Sequence, residues 1–128
     1  MASSPSFIGT AKSTTAQIST ANTARDGTGT LGTVYTAGAS GGRVDVINIT
    51  ATGTTTAGMI RLFMSDASAT WLVKEVPVVA ITPSATQPAF SVDVVFDQGL
   101  ILQATYLIKA GTNNAETFNV TIVNGGDF

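Results

Sequence analysis

The side chains of this 128-residue sequence that could carry acid–base chemistry near neutral pH are eight carboxylates: Asp26, Asp45, Asp66, Asp93, Asp97 and Asp127 with Glu75 and Glu116. Histidine and cysteine are absent. That removes the commonest general base, the commonest transition-metal ligand and every thiolate site or disulfide. Hydrolysis by paired carboxylates needs two acids about 5 to 10 Å apart across a cleft. Asp26, Asp66 and Asp97 instead fall in turn-like stretches, where aspartate is favoured because it bonds its own backbone. Serine nucleophiles lack a histidine partner. The expectation is no enzyme, no cofactor and no metal site.

Two short patterns invite chemistry and fail on context. Gly27-Thr-Gly-Thr-Leu-Gly32 spells a dinucleotide fingerprint, but that motif needs a preceding strand and a following helix to receive the pyrophosphate. The strand formers Thr33, Val34 and Tyr35 follow instead. Calcium would draw on loop aspartates and carbonyl oxygens, for which Arg25-Asp26 and Asp97-Gln98 are sparse, and no EF-hand spacing occurs. Asn48-Ile-Thr50 and Asn119-Val-Thr121 match the glycosylation sequon but lie inside strand-like runs.

Charge excludes further classes. Charged residues make up 11% of the chain with a net charge of −2, against roughly 25% in an ordinary soluble domain. The six basic residues are scattered, which is no footprint for nucleic acid. The start of the chain shows neither the basic nor the apolar region of a signal peptide, so synthesis in a cytoplasm is expected. No apolar run approaches the ~20 residues of a membrane span. Solubility rests on Ser, Thr, Asn and Gly, a composition found in proteins packed in large assemblies and shared by secreted β-domains.

The elements behind this are strands. Residues 1–24 are Ser/Thr/Ala-rich with isolated anchors at Phe7, Ile8 and Ile18, and are expected to form an extended N-terminal arm that orders on a partner or stays solvated. Residues 25–128 are expected to form one β-sandwich domain. Gly58–Val76 reads as a hairpin around Asp66–Ala69, pairing Met64 with Trp71, Leu62 with Val73 and Ile60 with Glu75. One face then holds Ile60, Leu62, Met64, Trp71 and Val73 as core. The other holds Met59, Arg61, Phe63, Leu72, Lys74 and Val76, too apolar for plain water. These six, with Phe7 and Ile8, are the candidate assembly interface. The competing reading, burial on both sides or a register slip of one residue, stays open.

Elsewhere Leu31–Ala37 and Arg43–Thr50 read as strands, the second with a bulge near Val46-Ile47 that would restore one apolar face. Pro77 ends pairing or marks an edge. Phe90, Val92, Val94 and Phe96 alternate inward, a turn follows at Asp97–Gly99, and Leu100–Ala110 reads as one long strand. Glu116–Val123 closes the set with Phe118, Val120 and Ile122 inward, leaving Asn124–Phe128 as a tail. No helical periodicity is sustained. About eight strands with regular turn signals predict an all-β, antiparallel, jelly-roll-like sandwich.

Ser3-Ser-Pro-Ser-Phe-Ile-Gly9, Ala21-Asn-Thr-Ala-Arg-Asp-Gly-Thr-Gly-Thr30 and Ala51-Thr-Gly-Thr-Thr-Thr-Ala-Gly-Met-Ile-Arg-Leu-Phe63 together resemble small virion structural proteins of tailed bacteriophages. The likeness runs along most of the chain and matches no motif with an assigned role. It implies a capsid cement or decoration protein on the virion surface, clamping neighbouring subunits of the major capsid protein, with a homotrimer favoured. A tail or head-fibre component is the alternative within the virion. A carbohydrate- or surface-binding β-sandwich module is the alternative outside it, disfavoured at this point because Trp71 falls on the expected core face.

Overall fold

The computed structural model describes residues 8–128. Its described residues form nine strands: β1 (Thr10–Ala11), β2 (Thr15–Ile18), β3 (Gly32–Thr36), β4 (Gly42–Ala51), β5 (Gly58–Ser65), β6 (Thr70–Val78), β7 (Ser91–Leu102), β8 (Leu107–Thr112) and β9 (Phe118–Asp127). They make two antiparallel sheets. The first, sheet A, runs β1-β9-β4-β7 with β2 also on β9; the second, sheet B, runs β3-β8-β5-β6. The pairs β2·β9, β3·β8, β4·β7 and β5·β6 are nested, each enclosing the next in sequence.

Alternation builds the core between the sheets. Ile47 and Ile49 of β4, Ile60 and Leu62 of β5, and Phe118, Val120 and Ile122 of β9 are buried in one cluster with Val94, Leu102 and Ile108. Phe90 meets Phe118 edge-on, with ring centroids 6.4 Å apart, the arrangement favoured by the ring quadrupoles. The expected bulge is present: the β4–β9 register shifts between Val44 and Val46 and again between Val46 and Ile47. It brings Val44, Ile47 and Ile49 onto one buried face, as a single extra residue does to a period of two.

Four expectations need correction. The sandwich does not begin at residue 25. Thr15–Ile18 pairs with Phe118–Thr121 of β9, and Ile18 joins the core. Four residues of strand-forming backbone suffice there because β9 supplies a ready edge. Phe7 and the rest of residues 1–7 lie outside the described residues. Second, Asp97–Gly99 is no hairpin turn. β7 continues along β4 in the same direction on both sides of it, pairing Val95 with Val46 and Leu100 with Val44. Phe96–Gly99 is a bulge opposite Asp45, permitted by positive φ at Gln98 and Gly99. Third, Leu100–Ala110 is two strands. The chain leaves sheet A after Leu102, turns at Gln103–Tyr106 with Thr105 at φ 64, and enters sheet B at Leu107. Fourth, the expected tail Asn124–Phe128 is mostly strand, since β9 runs to Asp127 along β4 and β1.

Pro77 sits within β6, at the rim of sheet B and opposite Met59, the edge position at which a strand tolerates proline.

Ile47 is fully buried at the centre of this packing, so Ile47→Ala is expected to cost about 2–5 kcal/mol. A urea titration reads this as a lower midpoint with an unchanged slope.

Candidate interaction surface

The expected interface hairpin forms, but not as one outer surface. Ser65↔Thr70 and Met64↔Trp71 pair as read from sequence. Then the register slips: Phe63 faces Leu72, and the next pair is Leu62↔Lys74, leaving Val73 as an extra residue. Every later residue of β6 changes face relative to the expectation. Ile60 therefore faces Val76, and Arg61 faces Glu75. Val76 turns into the core and Lys74 shares a face with Leu62. A bulge, an inward-facing lysine and a proline together mark a strand built against edge pairing.

The remaining outer face of sheet B is covered by the chain itself. Residues 19–31 cross it as a strap. Ala21 bridges Thr112, and Asn22 N donates to Thr112 O at 2.8 Å. Arg25 Nε donates to Glu75 Oε2 at 2.7 Å, and Gly27 lies against Thr70. Gly27 and Gly29 take positive φ here, so the nucleotide-like glycines shape a strap and feed strand β3. Asn22 Nδ2 closes the strap on itself through Thr28 O and Thr30 O.

Beneath the strap Phe63 is 1% exposed and Arg61 4%. A buried guanidinium must be paired. Arg61 Nε donates to Glu75 Oε2 at 2.9 Å and Nη1 to Asn113 Oδ1 at 3.3 Å. One carboxylate thus serves two arginines. Its pKa is held below the ordinary glutamate value, first by the hydrogen bond from Arg25 and also by that from Arg61.

The candidate interface residues are therefore dispersed. Arg61 and Phe63 lie under the strap, and Val76 is in the core. Met59 and Leu72 are half-buried and Lys74 is exposed. Ile8 is half-buried near Gly126, where Gly9 N donates to Asp127 O. They do not share one face.

A second polar cluster ties the chain's two ends together. Tyr35 Oη donates to Asp127 Oδ1 at 2.6 Å, and Lys12 Nζ lies 2.7 Å from Asp127 Oδ2. Gly38 N also donates to this carboxylate. Asp127 is held below its ordinary pKa by Lys12 first, then by Tyr35. Burial of the Tyr35 phenol, followed by its bond to Asp127, pushes its pKa well above the usual tyrosine range.

The surface that sequence reasoning passed over is the outer face of sheet A. Two polar rungs cross it in register: Gln17, Asn119, Thr50 and Ser91, then Thr15, Thr121, Asn48 and Asp93, whose carboxylate is the one charge in them. Their side chains bond one another, with Gln17 Nε2 to Asn119 Oδ1 at 2.9 Å and Asn48 Nδ2 to Asp93 Oδ1 at 2.8 Å. The third rung is apolar on β4 and β7. Val46 faces Val95 on one side and Asn124 on the other, with Val123 adjoining. Val95 and Val123 are each 58% exposed, and Ile101 beyond them 51%. Five large apolar side chains are exposed among the described residues, so this one face holds three. Arg43 and Asp45 border the stripe as an ion pair of 2.9 Å. The signal was in the alternation: once Val94 and Ile122 point inward, Val95 and Val123 must point out.

Trp71 also departs from expectation. It stands 43% exposed at the end of edge strand β6, its ring centroid 6.2 Å from that of Tyr106. Among the described residues no group of three or more carboxylates is placed to hold a metal ion. Comparison with protein-family models, curated proteins and solved structures finds no match.

Phe63→Ala is expected to lower stability by about 3–5 kcal/mol, read by denaturant melting. A near-neutral value at this site contradicts the burial under the strap. The depressed carboxyls of Glu75 and Asp127 contribute stability that is present above their unfolded pKa values and lost as pH falls. Melting temperature is expected to drop below about pH 4, with a shallower drop in a Glu75→Gln variant.

Proposed function

We propose that this chain is a non-enzymatic structural protein of a tailed-phage virion, a cement or decoration protein that binds the outside of the head and clamps neighbouring major capsid protein subunits. The observation carrying this reading is the outer face of sheet A: a broad polar ladder with few charges, bordered by a half-buried Val46 and exposed Val95 and Val123. Apolar area set among satisfied polar groups suits a protein contact, because docking removes the valines from water at the cost of desolvating few charges. The candidate contact thereby moves from the hairpin to sheet A.

The nested pairs running from β2·β9 inward to β5·β6, folded over two sheets, support a jelly-roll reading of the sandwich, an architecture that recurs in viral capsid domains. The resemblance in sequence style supports the virion, the major capsid protein as partner and a homotrimer. Weak single contacts become strong when many copies act together on one lattice.

The test is co-sedimentation of the purified protein with heads of its phage that lack it. Wild type is expected to pellet with the heads. A Val95→Asp/Val123→Asp double variant is expected to lose about tenfold or more in affinity. Its stability should stay within about 1 kcal/mol, as for exposed sites. Equal binding by the variant, or no binding by wild type, overturns the reading.

A further inference from the structure

The end of the sandwich at which the 37–41, 66–69 and 103–106 loops gather carries a feature that capsid binding does not use. Thr105 N donates to Gly38 O at 3.1 Å and Ala37 N to Tyr106 O at 2.8 Å, so two of these loops are joined by backbone. The third is the β5–β6 turn, and Trp71 leaves it one residue into β6. We propose that Trp71 and Tyr106 form a binding platform for a neutral oligosaccharide.

Three observations carry this. The two rings are inclined by 33° with centroids 6.2 Å apart. That is closer to one shallow floor than to the edge-on packing of a core pair such as Phe90 and Phe118. The floor is supported from below: Met64 is the direct cross-strand partner of Trp71, and Met64 and Tyr106 both pack against the core. The indole is thus held in place by the fold while nearly half its surface meets water. Finally, the phenol of Tyr106 stays accessible. The one buried side-chain polar atom lacking a partner among the described residues is Glu116 Oε1, far off in the β8–β9 connection. Tyr106 Oη has no hydrogen-bond partner among the described residues and is not such an atom, so it meets solvent.

The chemistry selects the ligand class. A pyranose ring offers a flat patch of C–H groups to an aromatic face and hydroxyls around its rim, matching an apolar floor with a few polar groups at its border. Exposed Gln103 and Thr105 supply an amide and a hydroxyl beside Tyr106. A quaternary ammonium, the other frequent guest of aromatic faces, is disfavoured. Lys74 is exposed on the same face of β6 as Trp71, and the Asp66 carboxylate of the turn is engaged by Ser68 N and Ala69 N. This reading is independent of the sheet A contact, which lies on another face.

The chain has a single tryptophan, so its emission reports this site alone. Titration of the full chain with maltohexaose, cellohexaose, chitohexaose and neutral oligosaccharides released from the host envelope is expected to give a saturable emission change with at least one probe. The expected dissociation constant is about 0.1–1 mM. In affinity electrophoresis against the responsive polysaccharide, Trp71→Ala should abolish retardation at near wild-type melting temperature, and Tyr106→Ala should weaken it about tenfold with a lowered melting temperature but a folded chain at the assay temperature. If Trp71→Ala does not fold, Tyr106→Ala carries the test. No saturable change with any probe overturns the proposal, as does undiminished retardation of a folded variant. Loss of head binding by Trp71→Ala without any glycan response assigns the rings to a protein contact and overturns it equally.

Discussion

The carboxylate of Glu75 is the point on which the surfaces of this protein turn. It accepts from Arg61, which is buried on the outer side of sheet B, and from Arg25, which belongs to the strap above it. A guanidinium withdrawn from water demands such a partner, and losing one member of the group strands the other. The pairing does two things together. It makes burial of Arg61 tolerable, and it holds residues 19–31 over Phe63. Sheet B is thereby covered on both faces: by the core on one side and by the strap on the other. Sheet A is covered on one. The molecule's free sheet face follows from that asymmetry.

Local irregularities decide the rest. The extra residue at Val73 sets Arg61 opposite Glu75, where an unbroken register would have paired Ile60 with that glutamate. The excursion at Phe96–Gly99 keeps β7 a single strand on β4 and leaves Val95 and Ile101 on the outer face. At the other rim, Asp127 joins Lys12, Tyr35 and the 37–41 loop, tying β1 to the end of β9. These devices use hydrogen bonds and single inserted residues to place a few side chains. The core beneath them is ordinary aliphatic packing.

Much of the fold was legible because period-two alternation is a strong signal in Phe90–Phe96 and Glu116–Val123. The bulge at Val46-Ile47 was legible too, since two apolar parities meet there. The bulge at Val73 was not. Trp71-Leu-Val-Lys-Glu-Val76 is apolar on both parities, so an inserted residue leaves no break in the pattern. The change of sheet after Leu102 was hidden in the same way by a continuous alternation, although Gln103-Ala-Thr105 was a polar interruption inside it. The strap was invisible because Thr-, Gly- and Ala-rich sequence carries no periodicity, and its contacts with β5, β6 and β8 are long-range. Its charges were the available clue: in a chain with six basic residues, Arg25 and Arg61 flank a face that had to be closed. Trp71 was misplaced by treating a strand end as a strand centre, for sheet A does not cover the rim of β6.

Hydroxyl-radical footprinting of the free, folded protein tests most directly which faces are closed. The account predicts strong oxidation of Trp71 and measurable oxidation of Val95, Ile101 and Val123, with Phe63 protected to the level of core residues such as Phe118. Oxidation of Phe63 comparable to that of an exposed aromatic, with Val95 and Val123 protected, would place the open surface on sheet B and contradict the account.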